Sequence, residues 1–351
     1  MKYLTPGPVQ LPHDVLKAIS NQPMFHRTEE FRKLFKSVTD RLLEVGNVRN
    51  VAIIPGTGTT AVDVAVYNFL DPNDEVLALI TGEFSERLAE SAESRGAKVF
   101  RLEGVLGDVP RLEDVKRIID ERKPKALLAV HNETSTGVAN KALDEVAKLA
   151  HDNGMLVLVD SVSGMPAEPI DAAKFDVVAT ASHKAFMAPP GAAIVFFNDA
   201  PTSNAPKPPA LDLSKFMKSS SKLETPYTPP ISVMFALDVS LNIILSQGLD
   251  NYVNAHLERM NYLYSELEEI GFTGVPRPNL RSNTVGAFYS PVNPQAVISK
   301  LREHGYTISG GMWKIRDKSI RIGVMGDVTL DDVESVVNVL RIFMETTRGG
   351  S

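Results

Sequence analysis

The stretch VAIIPGTGTTAVDVAVYNF, residues 51–69, decides the fold. VAIIPG at 51–56 is a short run of branched apolar residues, which reads as a buried strand. A Gly-Thr turn follows, and Thr59 to Phe69 then carries helix periodicity. The same strand–turn–helix rhythm continues downstream. EVLALI at 75–80 precedes a helical run from Phe84 to Arg95, and KVFRLE at 98–103 precedes one from Leu112 to Glu121. ALLAVHN at 126–132 and LVLVDSV at 156–162 flank a helix from Leu143 to Asn153, and DVVATASH at 176–183 and AAIVFFN at 192–198 are two further strands. Strands alternating with helix-length segments predict an α/β fold with a mainly parallel sheet covered on both faces.

Beyond residue 199 the texture changes. NDAPTSNAPKPPALD holds four prolines and reads as a loop. Helical patterns run from Ile231 to Ser246 and from Leu249 to Ile270. GAFYS at 286–290, a helix from Pro294 to His304, a strand IRIGVMG at 320–326 and a closing helix complete the chain. The expected organisation is an N-terminal arm over 1–20, a large domain over 21–245 and a smaller C-terminal α/β domain over 246–351. A chain of 351 residues exceeds the size at which one core usually stops growing.

The net charge of −6 leaves no basic footprint for nucleic acid or an anionic membrane surface. No apolar run approaches the roughly 18 residues of a membrane span, and MKYLTPGPVQLPHDV has no apolar signal core. A cytoplasmic protein is expected. The absence of cysteine excludes disulfides, thiolate metal sites and cysteine nucleophiles.

Four positions carry candidate chemistry. Lys184, in ATASHKAFMAPPGAAIVFF, follows an apolar strand, at the kind of strand end where α/β folds place ligands. Poor hydration there lowers an amine pKa and suits it to imine formation with an aldehyde. Position alone fits a surface loop lysine equally well. Asp160 ends the apolar strand LVLVD and must be paired or solvated. It suits the partner of a protonated pyridine nitrogen, and equally a helix cap or a metal ligand. IIPGTGTTAVD at 53–63 offers free N–H groups at a helix start for a phosphate, or is a plain tight turn. Arg321, in SIRIGVMGD, matches a carboxylate with its planar fork, or makes a structural ion pair.

In that order along the chain, these positions and their surrounding motifs resemble the class V aminotransferases of fold type I, in particular the alanine–glyoxylate/serine–pyruvate group. The resemblance runs nearly end to end through TPGPVQLPHDVLKAI, PGTGTTAVD, HNETSTGV, VDSVSG, SHKAFMAPPG, TPYTPPISVMFAL and RIGVMGD. It implies pyridoxal 5′-phosphate as cofactor, with Lys184 and Asp160 as catalytic residues. Thr57, Gly58 and Thr59 would form the phosphate turn, and Phe84 the ring stacked on the cofactor, where many relatives carry tryptophan. Thr134 would contact the pyridine side. His183 stands where relatives often carry glutamine, and its contact, to phosphate, is the least defined. Thr228 would reach the phosphate of the neighbouring subunit, making a homodimer with shared sites. Arg321 would bind the substrate α-carboxylate and Gly7 would line the substrate pocket.

The expected activity is transfer of an amino group from alanine or serine to glyoxylate or pyruvate, with ping-pong kinetics. Aspartate or glutamate as donor needs a second cation, and Arg27 in MFHRTEEF is one candidate. A pyridoxal-phosphate lyase on the same fold is an alternative. A nucleotide-binding protein without enzymatic activity is a remote one.

Overall fold

The structure, a computed structural model, describes residues 1–349. The strands, in chain order, are β1 (Lys2–Tyr3), β2 (Asn50–Gly56), β3 (Glu75–Ile80), β4 (Lys98–Glu103), β5 (Ala126–Val130), β6 (Asn132–Glu133), β7 (Val138–Ala139), β8 (Leu156–Asp160), β9 (Val177–Ala181) and β10 (Gly191–Phe197). Then come β11 (Thr273–Gly274), β12 (Val285–Tyr289), β13 (Tyr306–Thr307), β14 (Ser309–Gly310) and β15 (Ser319–Gly323). The helices are α1 (His13–Ile19), α2 (Glu29–Gly46), α3 (Gly58–Phe69), α4 (Glu83–Arg95), α5 (Leu112–Arg122), α6 (Leu143–Asp152), α7 (Leu213–Ser220), α8 (Ile231–Gln247), α9 (Leu249–Glu269), α10 (Pro294–Glu303) and α11 (Leu330–Gly349).

Seven strands form the main sheet in the order β2-β10-β9-β8-β5-β3-β4. Only β10 runs antiparallel to its neighbours; the other pairings are parallel. The expected mainly parallel seven-stranded sheet is therefore present. Its central strands β5, β8 and β9 are mostly apolar and buried because helices cover both faces. On one face pack α2 and α8, with Phe31, Phe35, Val38, Leu42 and Val45 forming one buried helical stripe. Each such side chain contributes about 1.5–3 kcal/mol by leaving water. On the other face lie α3 and α4, through Ala61, Ala65, Phe69, Leu88 and Ala92.

The second sheet is smaller and antiparallel, β11-β12-β15-β14. It packs with α9, α10 and α11 around Phe288, Ile320, Ile322, Val337 and Leu340. Leu4 is fully buried in the same cluster, since β1 pairs in parallel with β13 and the Gly323 N–H donates to the Leu4 carbonyl at 2.8 Å. A Cβ at Gly323 would lie 2.3 Å from the Thr5 carbonyl oxygen, so this close approach needs glycine.

The helix α2 and the short α7 were not among the expected elements, although the α2 stripe has clear helical spacing. Thr28 caps it by accepting the Phe31 N–H, and Asn47 ends it in a left-handed conformation. Four expected strands end two or three residues early, those over 126–132, 156–162, 176–183 and 320–326. Residues 126–132 give β5 and then the hairpin strand β6, and 156–162 stop at Asp160, where the Val162 N–H bonds the aspartate side chain instead of a neighbouring strand. Among the described residues, no single helix is long and apolar enough to cross a membrane.

Candidate active site

The carboxyl ends of β8 and β9 and the start of α3 open onto one cavity of about 220 Å³. Of the expected residues, Thr57, Gly58, Thr59, Phe84, Asp160, His183 and Lys184 line it. A larger cavity of about 530 Å³ lies elsewhere, between Lys141, Glu168 and Leu249, and holds none of the expected site residues.

Lys184 sits in a tight loop between β9 and β10. The Met187 N–H donates to the Lys184 carbonyl at 2.9 Å, the Ala188 N–H to the Ser182 carbonyl at 3.0 Å, and the Ser182 hydroxyl to the Pro189 carbonyl at 2.6 Å. Met187 takes a left-handed φ of +53° to close the turn. From α9, the Tyr252 hydroxyl donates to the Ala185 carbonyl at 2.5 Å. The lysine is 8% exposed, and its Nζ donates to the Pro6 carbonyl at 2.7 Å. Burial pulls its amine down to about 8; the Arg321 charge adds to this and Asp160 opposes it.

Asp160 is 5% exposed, and its Oδ1 accepts the Val162 N–H at 2.8 Å. Burial pushes its carboxyl up to about 7. The Val162 N–H pulls it down, the Glu133 charge raises it and Lys184 lowers it. His183 is held as a neutral imidazole, lowered to about 4 by burial and then by Lys184. Its Nδ1 is buried with no partner.

The phosphate-type turn is shaped by glycine. Gly56 has φ +156°, and a Cβ there would meet Thr60 Oγ1 at 2.4 Å. A Cβ at Gly58 would meet Val162 at 2.6 Å, so the start of α3 lies directly against the segment after Asp160. Thr57 and Thr59 are exposed at this helix start; the Thr57 N–H donates to Thr60 Oγ1 at 3.3 Å, and the first-turn N–H groups of Gly58 and Thr59 are available to an anion.

Arg321, on β15, lies beyond the cavity lining. Its Nε donates to the Gly310 carbonyl at 2.9 Å and its Nη1 to the Thr134 carbonyl at 3.3 Å. Among the described residues, no carboxylate lies within ion-pair distance of it, and burial pulls it down to about 10, opposed by the Glu133 charge. Thr134 is buried, and its hydroxyl donates to Ser163 at 2.6 Å. Gly7 faces the lysine: a Cβ there would lie 2.5 Å from Lys184 Cδ, at φ +120°. Thr228 is exposed in the segment between α7 and α8 and does not line its own chain's cavity. Arg27 is committed elsewhere, to Glu224 at 3.2 Å and the Thr225 carbonyl at 2.7 Å.

The residues that sequence reading missed are the Pro6 carbonyl, Glu133, Ser163, Tyr252 and Arg87, whose guanidinium lies 4.9 Å from the Phe84 ring centre on the cavity wall. Glu133 had a visible signal, a lone carboxylate within the apolar and hydroxyl run ALLAVHNETSTGV. The Pro6 carbonyl had none, since a backbone group carries no residue signature.

A buried amine, a buried carboxyl and a helix start with free N–H groups thus share one cavity, with an arginine free of carboxylate partners behind them. The arrangement suits a phosphorylated pyridine aldehyde: His183, with its unpartnered Nδ1, and the exposed helix start line the same cavity. Comparison with known proteins agrees. The family model described as "Aminotransferase class-V" matches residues 3–336. An uncharacterised aminotransferase of Methanocaldococcus jannaschii is 32% identical, over 92% of this chain and 87% of that protein. A solved aspartate aminotransferase of subgroup IV from Thermus thermophilus superposes with a TM-score of 0.91 at 31% identity, covering 99% of each chain. A solved alanine–glyoxylate aminotransferase from Nostoc superposes with a TM-score of 0.92 at 29% identity, covering 97% of this chain and 94% of that one.

Proposed function

The chain belongs to the class V aminotransferases, a pyridoxal 5′-phosphate-dependent family of fold type I, and on that premise we propose that it moves an amino group from alanine or serine to glyoxylate or pyruvate. It is a transaminase, so the remote reading as a non-enzymatic nucleotide-binding protein falls. The observation that carries the small-substrate reading is the pair of arginines. Arg321 has no carboxylate partner and suits one α-carboxylate, while Arg27 is already held by Glu224. Similarity to the Nostoc enzyme supports the same choice. Similarity to the Thermus aspartate aminotransferase favours a second reading, with a dicarboxylic donor.

When bound, pyridoxal 5′-phosphate supplies an aldehyde that takes the amino group and a ring that accepts the electron pair released at the α-carbon. Thr57, Gly58, Thr59 and His183 would hold its phosphate, and Phe84 its ring face. Asp160 uses Oδ1 on the Val162 N–H, leaving Oδ2 to keep a proton on the ring nitrogen. Lys184 Nζ would hold the cofactor aldehyde at rest and, once free, would take the α-proton. An amine near 8 is partly neutral at physiological pH, as a base must be. Thr134 supports the pyridine side, and Gly7 leaves room beside the lysine. Thr228 reads best as a phosphate contact to the neighbouring subunit of a homodimer, because it is exposed and away from its own cavity.

Purified protein should be yellow with bound cofactor, and borohydride followed by peptide mass analysis should find the cofactor on Lys184. A panel of amino donors against glyoxylate, pyruvate and 2-oxoglutarate tests the substrate choice. Alanine or serine with glyoxylate or pyruvate should give the highest kcat/KM. A clear preference for aspartate or glutamate would replace this reading with the second one, and release of ammonia without transfer would point to a lyase.

A further inference from the structure

We propose that Glu133 is a positioning residue, one buried carboxylate that fixes the spacing between the Phe84 platform and the Arg321 clamp. The inference rests on the cofactor reading above. Glu133 is fully buried on β6. Its Oε1 accepts the Phe84 N–H at 3.2 Å, the Ser135 N–H at 3.1 Å and the Ser135 hydroxyl at 2.6 Å, and its Oε2 accepts the Ser85 N–H at 3.0 Å. It therefore anchors the first turn of α4 from another element, at the helix end where a negative charge is favoured. Ser135 completes the joint by accepting the Glu83 N–H at 3.0 Å.

The fit leaves no slack. A Cβ at Gly82 would come within 2.3 Å of Ser135 Oγ and 2.6 Å of Glu133 Cδ. On the other side, the next residue, Thr134, gives its carbonyl to Arg321. Two consecutive residues thus tie the helix that carries Phe84 to the arginine on the second sheet. Glu133 is also close enough for its charge to act on both Asp160 and Arg321, raising the proton affinity of each. The other charged and titratable groups around this centre are Lys184 and His183 from the lysine loop, with Asp63 and Arg87 on the cavity wall.

Glu133→Gln tests this with little change of volume. The amide keeps one acceptor for Phe84 and Ser135 but turns an N–H group toward the Ser85 N–H, and the charge is gone. For variant protein that is folded by far-ultraviolet circular dichroism, we expect cofactor affinity to fall about tenfold, the cost of one unsatisfied buried donor. The visible dichroism of the bound cofactor should weaken and the donor KM should rise. The pH midpoint of the visible band should move down, because a negative charge that favoured the protonated form has been removed. A purely structural role would not move that midpoint. Should Glu133→Gln not fold, Ser135→Ala, which removes one donor to the carboxylate but keeps its charge, should lower cofactor affinity and dichroism and raise the donor KM by less, with no downward move of the midpoint. A folded variant with wild-type affinity, dichroism, KM and midpoint overturns the inference alone. A wild-type protein that binds no cofactor overturns the cofactor reading, and this inference with it.

Discussion

The wall that carries Asp160 and Lys184 is built on the buried five-residue strands β8 and β9 and the seven-residue β10. The wall behind it carries Arg321 on the five-residue β15, between β12 and β14, and the Pro6 carbonyl, which follows the two-residue pairing of β1 with β13, drawn from residues far apart in the chain. In the first wall the central strands of one seven-stranded sheet are each hydrogen-bonded on both sides. The second is held by pairings such as β1 with β13 and by glycines, Gly323 and Gly7, that permit close approach. We infer a division of labour: the main sheet fixes the groups that handle the cofactor, and the second wall reads the substrate.

Lys184→Ala strikes the first wall and should cause the largest loss, roughly four orders of magnitude in kcat, the upper range for removing a general base. Stopped-flow and steady-state assays with the best donor would measure it. A rate within tenfold of wild type would break the assignment. Gly7→Ala pushes the second wall into the first. The added methyl meets Lys184 Cδ at a φ that disfavours side chains, and misplacing a reacting group by about 1 Å costs about 10²-fold. The loss should appear in kcat, with the fold intact by circular dichroism.

Arg321→Gln should sharpen the contrast. Hydrogen bonds to a charged group contribute about 1.5–3 kcal/mol, so the donor KM should rise about 10- to 100-fold while cofactor affinity stays near wild type. An equal loss of cofactor affinity would mean that the two walls do not divide the work. The smallest change is a shift in pH. Because burial lowers the Lys184 amine from 10.5 to about 8, the neutral form appears as pH rises through about 8. The rate at which cofactor-free enzyme captures pyridoxal 5′-phosphate should climb in that window. A climb only near 10.5 would show an amine in ordinary water.

The same contrast governs what the sequence disclosed. The parallel sheet was legible because most of its strands are apolar runs followed by a turn, the edge strand KVFRLE at 98–103 excepted. Lys184, Asp160 and the turn at 57–59 were legible because they sit at strand ends, where polar residues stand out. The second wall was harder to read. β13 and β14 are too short to carry a period, and the Pro6 carbonyl belongs to the backbone. Arg27 looked like a free cation because nothing local hinted at Glu224, nearly two hundred residues away. Glu133 showed no role in its motif, since beyond the neighbouring Ser135 its partners lie on α4, about fifty residues earlier.

The pairing of β1 with β13 also sets an order in time. Lys2 and Tyr3 leave the ribosome about 300 residues before Tyr306 and Thr307. At roughly 5–20 residues per second, the first strand waits about 15–60 s without its partner. By the last third of that interval the main sheet has all its strands, while the Pro6 carbonyl and Gly7 have no second sheet to settle against. The lysine wall can therefore be finished early, and the wall that carries Arg321 closes over it only as the last quarter of the chain emerges.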